Sequence, residues 1–302
     1  MKLLNPNARI EKIRTDFPDF AISSVQKAGE GDNSAAYIIN HSYIFRFPKR
    51  KSGKFQLQRE IAVLPLIGPF LPLKIPEFVL VSPTLAFAGH KMLRGEPLAG
   101  AQYHMMEEKY RKAAQESISD FLSAIHRVDI SLLAGCGLET MDPAAEYGDN
   151  FEKIQKEVFP LLSIKSRKVV SRLFSDYLRD PRNFLYTPVL IHNDFSTDHI
   201  LYDRLEKKIS GIIDFGDMAL GDPDYDGMYL LDAYGDGFIS EILIRSGSTE
   251  KKEVMNKILF FSLANKLQIL LEALKTQGNK ETATAFQNLT DWILKYNARP
   301  EK

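Results

Sequence analysis

A single cysteine, Cys136, stands in a chain of 302 residues, so no disulfide can form within it. The expectation is a reducing compartment, the cytosol. Its setting, LAGCGL, suits a buried or loop thiol better than a nucleophile. Net charge is also missing: 39 basic residues balance 39 acidic ones. No global field therefore draws the chain toward nucleic acid or an anionic membrane, and neither partner is expected. Long hydrophobic runs are scarce. The first residues, MKLLNPNARIEKIRTDF, lack the apolar core of a signal peptide, and the stretch Ile61 to Leu73 is broken by Pro65, Gly68, Pro69 and Pro72. No repeat period is visible, and a monomer is expected.

What is present is ordinary for a globular protein, with 44% hydrophobic and 26% charged residues. The length allows two domains. Residues from about 20 to 93 read as short strands with one helix. AAYIIN and YIFRFP form a hairpin pattern around HS, KFQLQREIAVLPLI has helical spacing at Phe55, Leu57, Ile61 and Leu64 until prolines stop it, and FVLV and LAFAGHKML supply two more strands. Beyond RGEPL helices dominate, as in SISDFLSAIHRV with Ile118, Phe121, Leu122, Ile125 and Val128 on one face. The exception is Pro188 to Ile213, where PVLIH, HILYD and KISGII are short strands. The expected division is 1–90 as a small sheet-rich lobe, 91–95 as a hinge and 96–302 as a larger helical lobe.

Chemistry concentrates in LIHNDFSTDHILYD and GIIDFGD. A hairpin between them would bring Asp194, His199 and Asp214 to one cleft. Each residue alone has an ordinary structural explanation, since Asn and Asp are common turn formers. Their order and spacing carry more. Protein kinases place an Asp five positions before a metal-binding Asn, with a later Asp-Phe-Gly Asp on the metals. Here the fifth position after Asp194 is His199, whose neutral imidazole can still ligate a cation. Upstream, AGEGDNSAAY offers Gly29, Gly31 and Ser34, where missing Cβ atoms let backbone N–H groups approach phosphate. Arg46 lies centrally in YIFRFP, and Glu60 follows in the helix as its natural partner. From Ile209 to Ile244 there are eight acidic residues and no Lys or Arg. Such a surplus suits a cationic ligand.

In this order, AGEGDNSAAY, YIFRFPKR, LQREIAVL, KMLRGEPL, LIHNDFSTDHILYD and GIIDFGDMALGDPDYD resemble the aminoglycoside phosphotransferases, most of all the 2''-phosphotransferase group. The resemblance implies an α+β, protein-kinase-like two-lobed fold, with an antiparallel-sheet N-lobe carrying one helix and a larger helical C-lobe. It implies transfer of the γ-phosphate of ATP or GTP to a drug hydroxyl, with Mg2+ or alternatively Mn2+. By motif, Asp194 is the catalytic base, His199 and Asp214 the metal ligands, Arg46 the phosphate clamp and Glu60 its partner. Gly29, Gly31 and Ser34 belong to the phosphate loop. The nucleobase is expected on the backbone of Lys91 to Leu93, with His90 setting its depth. Asp198, Asp217, Asp232, Asp236 and Glu241 are candidate substrate contacts. The family's usual clamp is Lys rather than Arg, and Ala264 stands where an acidic contact is expected. A macrolide or another hydroxylated small molecule as substrate, or a non-catalytic nucleotide-binding module, are the competing readings.

Overall fold

The alternation in SAAYII and YIFRFP folds as an antiparallel hairpin, with Ser34–Ile39 (β2) paired to Tyr43–Pro48 (β3). The structure is a computed structural model and describes residues 6–276 and 278–299. Val25–Glu30 (β1), Phe78–Val81 (β4) and Ala88–Lys91 (β5) complete a five-stranded sheet in the order β1-β2-β3-β5-β4, antiparallel throughout. β1 is an addition to the strands expected from periodicity. All six of its residues are exposed, so no inward-outward alternation marks it.

The period of two along a strand decides which side chains share a face. Tyr37 and Ile39 join Phe45 and Phe47 in a core with Phe87 and with Ile10 and Ile13 of a helix at Pro6–Asp16. Each such fully buried side chain contributes roughly 1.5–3 kcal/mol of transfer free energy. Arg46, between Phe45 and Phe47, must then project from the opposite face. The helix that follows, Lys51–Ile67, buries Gly53, Leu57, Glu60, Val63, Leu64 and Ile67. Phe55, expected on this stripe, is instead exposed. Pro65 lies inside the helix rather than ending it. The missing N–H removes a single bond one turn from the C-terminus, which the turns before it do not need.

Two compact units divide the chain, Met1–Glu139 with Val189–Leu220, and Thr140–Pro188 with Gly221–Lys302. The segment 91–95 lies inside the first. That unit also holds the helix Glu108–Ile125, which buries Ile118, Phe121, Leu122 and Ile125, and a three-stranded sheet ordered Glu96–Pro97, Ile200–Asp203, Lys208–Ile212. The second unit is helical. The helices Pro143–Glu157, Ile164–Arg179 and Lys251–Thr276 share an aromatic core in which Tyr177 stacks on Phe260 at 3.8 Å between centroids. Lys251–Thr276 is long and apolar enough, by length and composition, to cross a membrane, with a mean hydropathy of 1.2 over an 18-residue window. Yet 56% of that window is buried within the protein, as in a core helix.

Candidate active site

Two tight turns meet in the first unit. The strand Val189–Ile191 runs into Asn193 and Asp194, and the Ile200–Ile212 hairpin returns the chain so that the Ile213 N–H donates to the His199 carbonyl at 3.0 Å. Asn193 and Asp214 both adopt left-handed backbone conformations, with φ of 68° and 63°. Asn and Asp tolerate this region better than other residues with a Cβ, but the strain persists only where the surroundings impose it. The Asn193 side chain supplies one constraint, donating to the Asp217 carbonyl at 2.8 Å.

His199 Nδ1 lies 2.8 Å from the Asp194 carbonyl oxygen. A carbonyl can only accept, so Nδ1 carries a proton, and in the neutral ring that cation binding requires Nε2 carries the lone pair. Nε2 faces Asp214 Oδ2 at 3.5 Å, while Nδ1 lies 3.6 Å from Asp194 Oδ2. Fixing one imidazole nitrogen by a backbone carbonyl is the usual way of presenting the other to a metal. Among the described residues no group of three or more His, Cys, Asp or Glu forms a cage. Mg2+ does not need one, because it is commonly held by one or two protein donors with phosphate oxygens and water. The His199 and Asp214 pair fits that requirement.

Arg46 uses its planar fork on two carboxylates. Its Nη1 donates to both oxygens of Glu60, at 2.6 and 2.7 Å, and its Nη2 lies 3.2 Å from Asp214 Oδ1. A lysine offers a point charge without this geometry. Burial pushes the Glu60 carboxyl up from its ordinary 4.5 to about 7, Arg46 opposing and Asp214 reinforcing the rise. Burial also works against ionisation of Asp214, but Arg46, His199, His192 and the Gly216 N–H outweigh it and hold that carboxyl below its ordinary value. The raised Glu60 makes the folded state bind the extra proton between pH 4.5 and about 7. Its contribution to stability is therefore complete below that window and declines as pH rises through it. Glu60→Gln is expected to flatten the decline. Urea midpoints at several pH values across the window check this, and parallel profiles for variant and wild type would contradict it.

Gly29 sits in β1 opposite Ala36, next to a register shift, and Gly31 donates its N–H to the Ser34 carbonyl at 3.0 Å. An added Cβ at either glycine meets nothing within 4 Å, so that side of the loop is open. His90 is buried in β5 and donates from Nδ1 to the Lys91 carbonyl at 2.9 Å, and burial draws its imidazole below the usual range. Lys91 is exposed, the Met92 N–H is committed to the Ser42 carbonyl at 2.8 Å, and Leu93 is half-buried. Asp198 is exposed on the turn Thr197–His199, and Asp217 accepts from Gln56 at 2.7 Å.

The acidic surplus of 209–244 is offset in space by cations from elsewhere in the chain. Lys257 lies 2.6 Å from Asp222 and 2.7 Å from Asp224. Burial, reinforced by Asp224, pushes Asp222 up to about 6 despite that lysine. Lys266 binds Asp232, whose other oxygen accepts from Ser262 at 2.6 Å, and Arg299 binds Asp236. Glu241 is exposed in the helix Asp236–Arg245. Asp232, Asp236 and Glu241 belong to the second unit, and Asp194, His199, Asp214, Arg46 and Glu60 to the first.

Reasoning from sequence missed Gln56, Arg59 and Gly53. Arg59 donates to the Met218 carbonyl at 2.7 Å, beside the Gln56 contact. At Gly53 an added Cβ would come 2.2 Å from the Asn33 carbonyl oxygen, so only glycine lets the helix start this close to the glycine-containing loop. The spacing of Gln56 and Arg59 from Glu60 was the available signal.

The chain superposes on the GDP and kanamycin complex of APH(2'')-IIIa with a TM-score of 0.89 and 28% identity, covering 96% of this chain and 99% of that one. A macrolide 2'-phosphotransferase type I shares the fold at a TM-score of 0.74 and 17% identity, covering 96% of this chain and 99% of that one. Viomycin phosphotransferase of Streptomyces vinaceus is 24% identical over 107 residues, 35% of this chain. The chain thus matches about a third, 36%, of that relative's length. The model of the APH phosphotransferase enzyme family matches residues 24–254. The chain belongs to this phosphotransferase family and has its kinase-like, two-lobed α+β fold.

Proposed function

We propose that the chain transfers the γ-phosphate of ATP or GTP to a hydroxyl of an aminoglycoside, working in the cytosol as a monomer. The observation that carries this reading is the single connected arrangement of Asp194, His199, Asp214, Arg46 and Glu60. In the reaction a bond forms between the substrate oxygen and the γ-phosphorus while the bridging oxygen leaves with the nucleoside diphosphate. Asp194 orients the hydroxyl and takes its proton. Arg46, anchored by Glu60, clamps phosphate oxygens. A divalent cation held by His199 and Asp214, Mg2+ or Mn2+, would neutralise phosphate charge. Gly29, Gly31 and Ser34 border the phosphates, and the backbone of Lys91 to Leu93 carries the base, with His90 limiting its depth. On this reading 1–90 is the nucleotide lobe, 91–95 the hinge and 96–302 the catalytic and substrate lobe.

Likeness to the kanamycin-bound enzyme supports an aminoglycoside. Asp198, Asp217 and Glu241 are then the first candidates for its ammonium groups, because Asp232 and Asp236 already hold Lys266 and Arg299. Those same internal pairs favour a second reading, a less cationic substrate such as a macrolide. A panel of 4,6-linked aminoglycosides and macrolides, run with ATP and GTP in parallel, tests both. Phosphorylation of the aminoglycosides is expected, with KM rising with salt because partly exposed charge pairs are screened over about 8–10 Å. Turnover of a macrolide alone would replace the substrate, and nucleotide binding without any turnover would favour a non-catalytic module. In the same panel His90→Tyr and His90→Ala should change the ATP to GTP ratio; an unchanged ratio removes His90 from base selection.

A further inference from the structure

One stripe of the helix Lys51–Ile67 holds the Asp214 turn at three points. Gln56 Nε2 donates to Asp217 Oδ1 at 2.7 Å, Arg59 Nη1 donates to the Met218 carbonyl at 2.7 Å, and the Phe215 backbone N–H donates to the Glu60 carboxylate. Positions separated by three and four residues lie on one helical face, so a single rigid element makes all three contacts. The turn needs such restraint: Asp214 sits at φ 63°, a conformation an Asp keeps only when its neighbours impose it. Gly216 brings the backbone against this stripe, and a Cβ there would lie 3.4 Å from Gln56 Cβ. Arg59 is not a solvated helix-face cation. Its Nε is buried with no hydrogen-bond partner among the described residues, a cost accepted in a side chain whose guanidinium reaches a backbone carbonyl.

We propose that Gln56 and Arg59 are positioning residues, which fix the Asp214 carboxylate between Arg46 and His199 by bracketing the turn 214–218. The inference rests on the reading that Asp214 lies at the phosphate and cation site. Neither residue touches the reacting atoms. They set how well Asp214 is oriented, and their loss should weaken cation binding and kcat more than KM for the nucleotide.

The test uses the full chain with GDP and Mn2+, following bound Mn2+ by electron paramagnetic resonance alongside steady-state kinetics. Arg59→Met keeps the apolar stem and removes the donor, and Gln56→Leu provides a second variant at a half-buried position. Each is expected to weaken Mn2+ binding about tenfold, to raise the cation concentration for half-maximal activity and to lower kcat, with a smaller change in nucleotide KM. Arg59→Lys, which can still donate to the carbonyl, should recover part of the Mn2+ affinity. Wild-type Mn2+ affinity and kcat in either folded single variant, with Asp214→Asn losing Mn2+, would overturn the bracket alone. If Asp214→Asn also binds Mn2+ as the wild type does, the cation-site reading itself falls.

Discussion

Asp194→Asn should lower kcat by about 10²–10⁴-fold, the range for losing general-base assistance, with nucleotide affinity little changed. The substitution removes proton acceptance while keeping the shape of the side chain. It leaves the backbone untouched, and the backbone carbonyl of residue 194 is what orients His199, through the 2.8 Å bond from Nδ1. The cation pair of His199 and Asp214 should therefore persist. Steady-state kinetics on the purified variant, together with titration of a fluorescent nucleotide, separates loss of the base from loss of the site. Near-wild-type turnover would remove Asp194 from the role.

Arg46→Met has the next largest expected effect, on both stability and nucleotide binding. Glu60 is fully buried and Arg46 is 15% exposed at its side chain, so the variant strands one partner of a buried ion pair. That loss typically costs about 3–5 kcal/mol. Glu60 can escape part of it by taking a proton, since its carboxyl already stands at about 7. The cost should consequently be smaller in mild acid than at neutral pH. Arg46→Lys separates the two carboxylates that the arginine serves. A lysine can neutralise Glu60, but one ammonium on a flexible stem does not reproduce a fork that reaches Glu60 and Asp214 together. It is expected to keep most of the stability and to lose affinity for the nucleotide with its cation. Thermal denaturation at two pH values and nucleotide titration with and without Mg2+ read these effects. An Arg46→Met protein with wild-type melting temperature and nucleotide affinity would show that the pair carries neither function.

Much of the first unit could be read from the chain alone, because the signals are local. The alternation in SAAYII and YIFRFP forms the hairpin, and the same period of two puts Arg46 opposite Phe45 and Phe47. Glu60 was expected as the partner of Arg46, and the two are paired as expected. The segment between HNDF and DFGD folds as the expected hairpin and brings His199 beside Asp214.

The tertiary structure decided what depended on distant partners. β1, exposed along its length, exists because β2 offers an unpaired edge and not because of any pattern in VQKAGE. Eight acidic residues without a nearby Lys or Arg suggested a site for a cationic ligand, but five of them pair with Lys257, Lys266 and Arg299, which follow that segment in the chain, and with Arg46, which precedes it. The partners of Gln56 and Arg59 are Asp217 and Met218, which lie far along the chain and come within hydrogen-bond reach only in the fold. The physical reason is common to these cases. Backbone periodicity is set by neighbours a few residues away, so the chain itself encodes which face a side chain takes. The partner of a charge or a hydrogen-bond donor is set by distance in space, and residues 159 and 161 positions apart become neighbours only when the whole unit has folded.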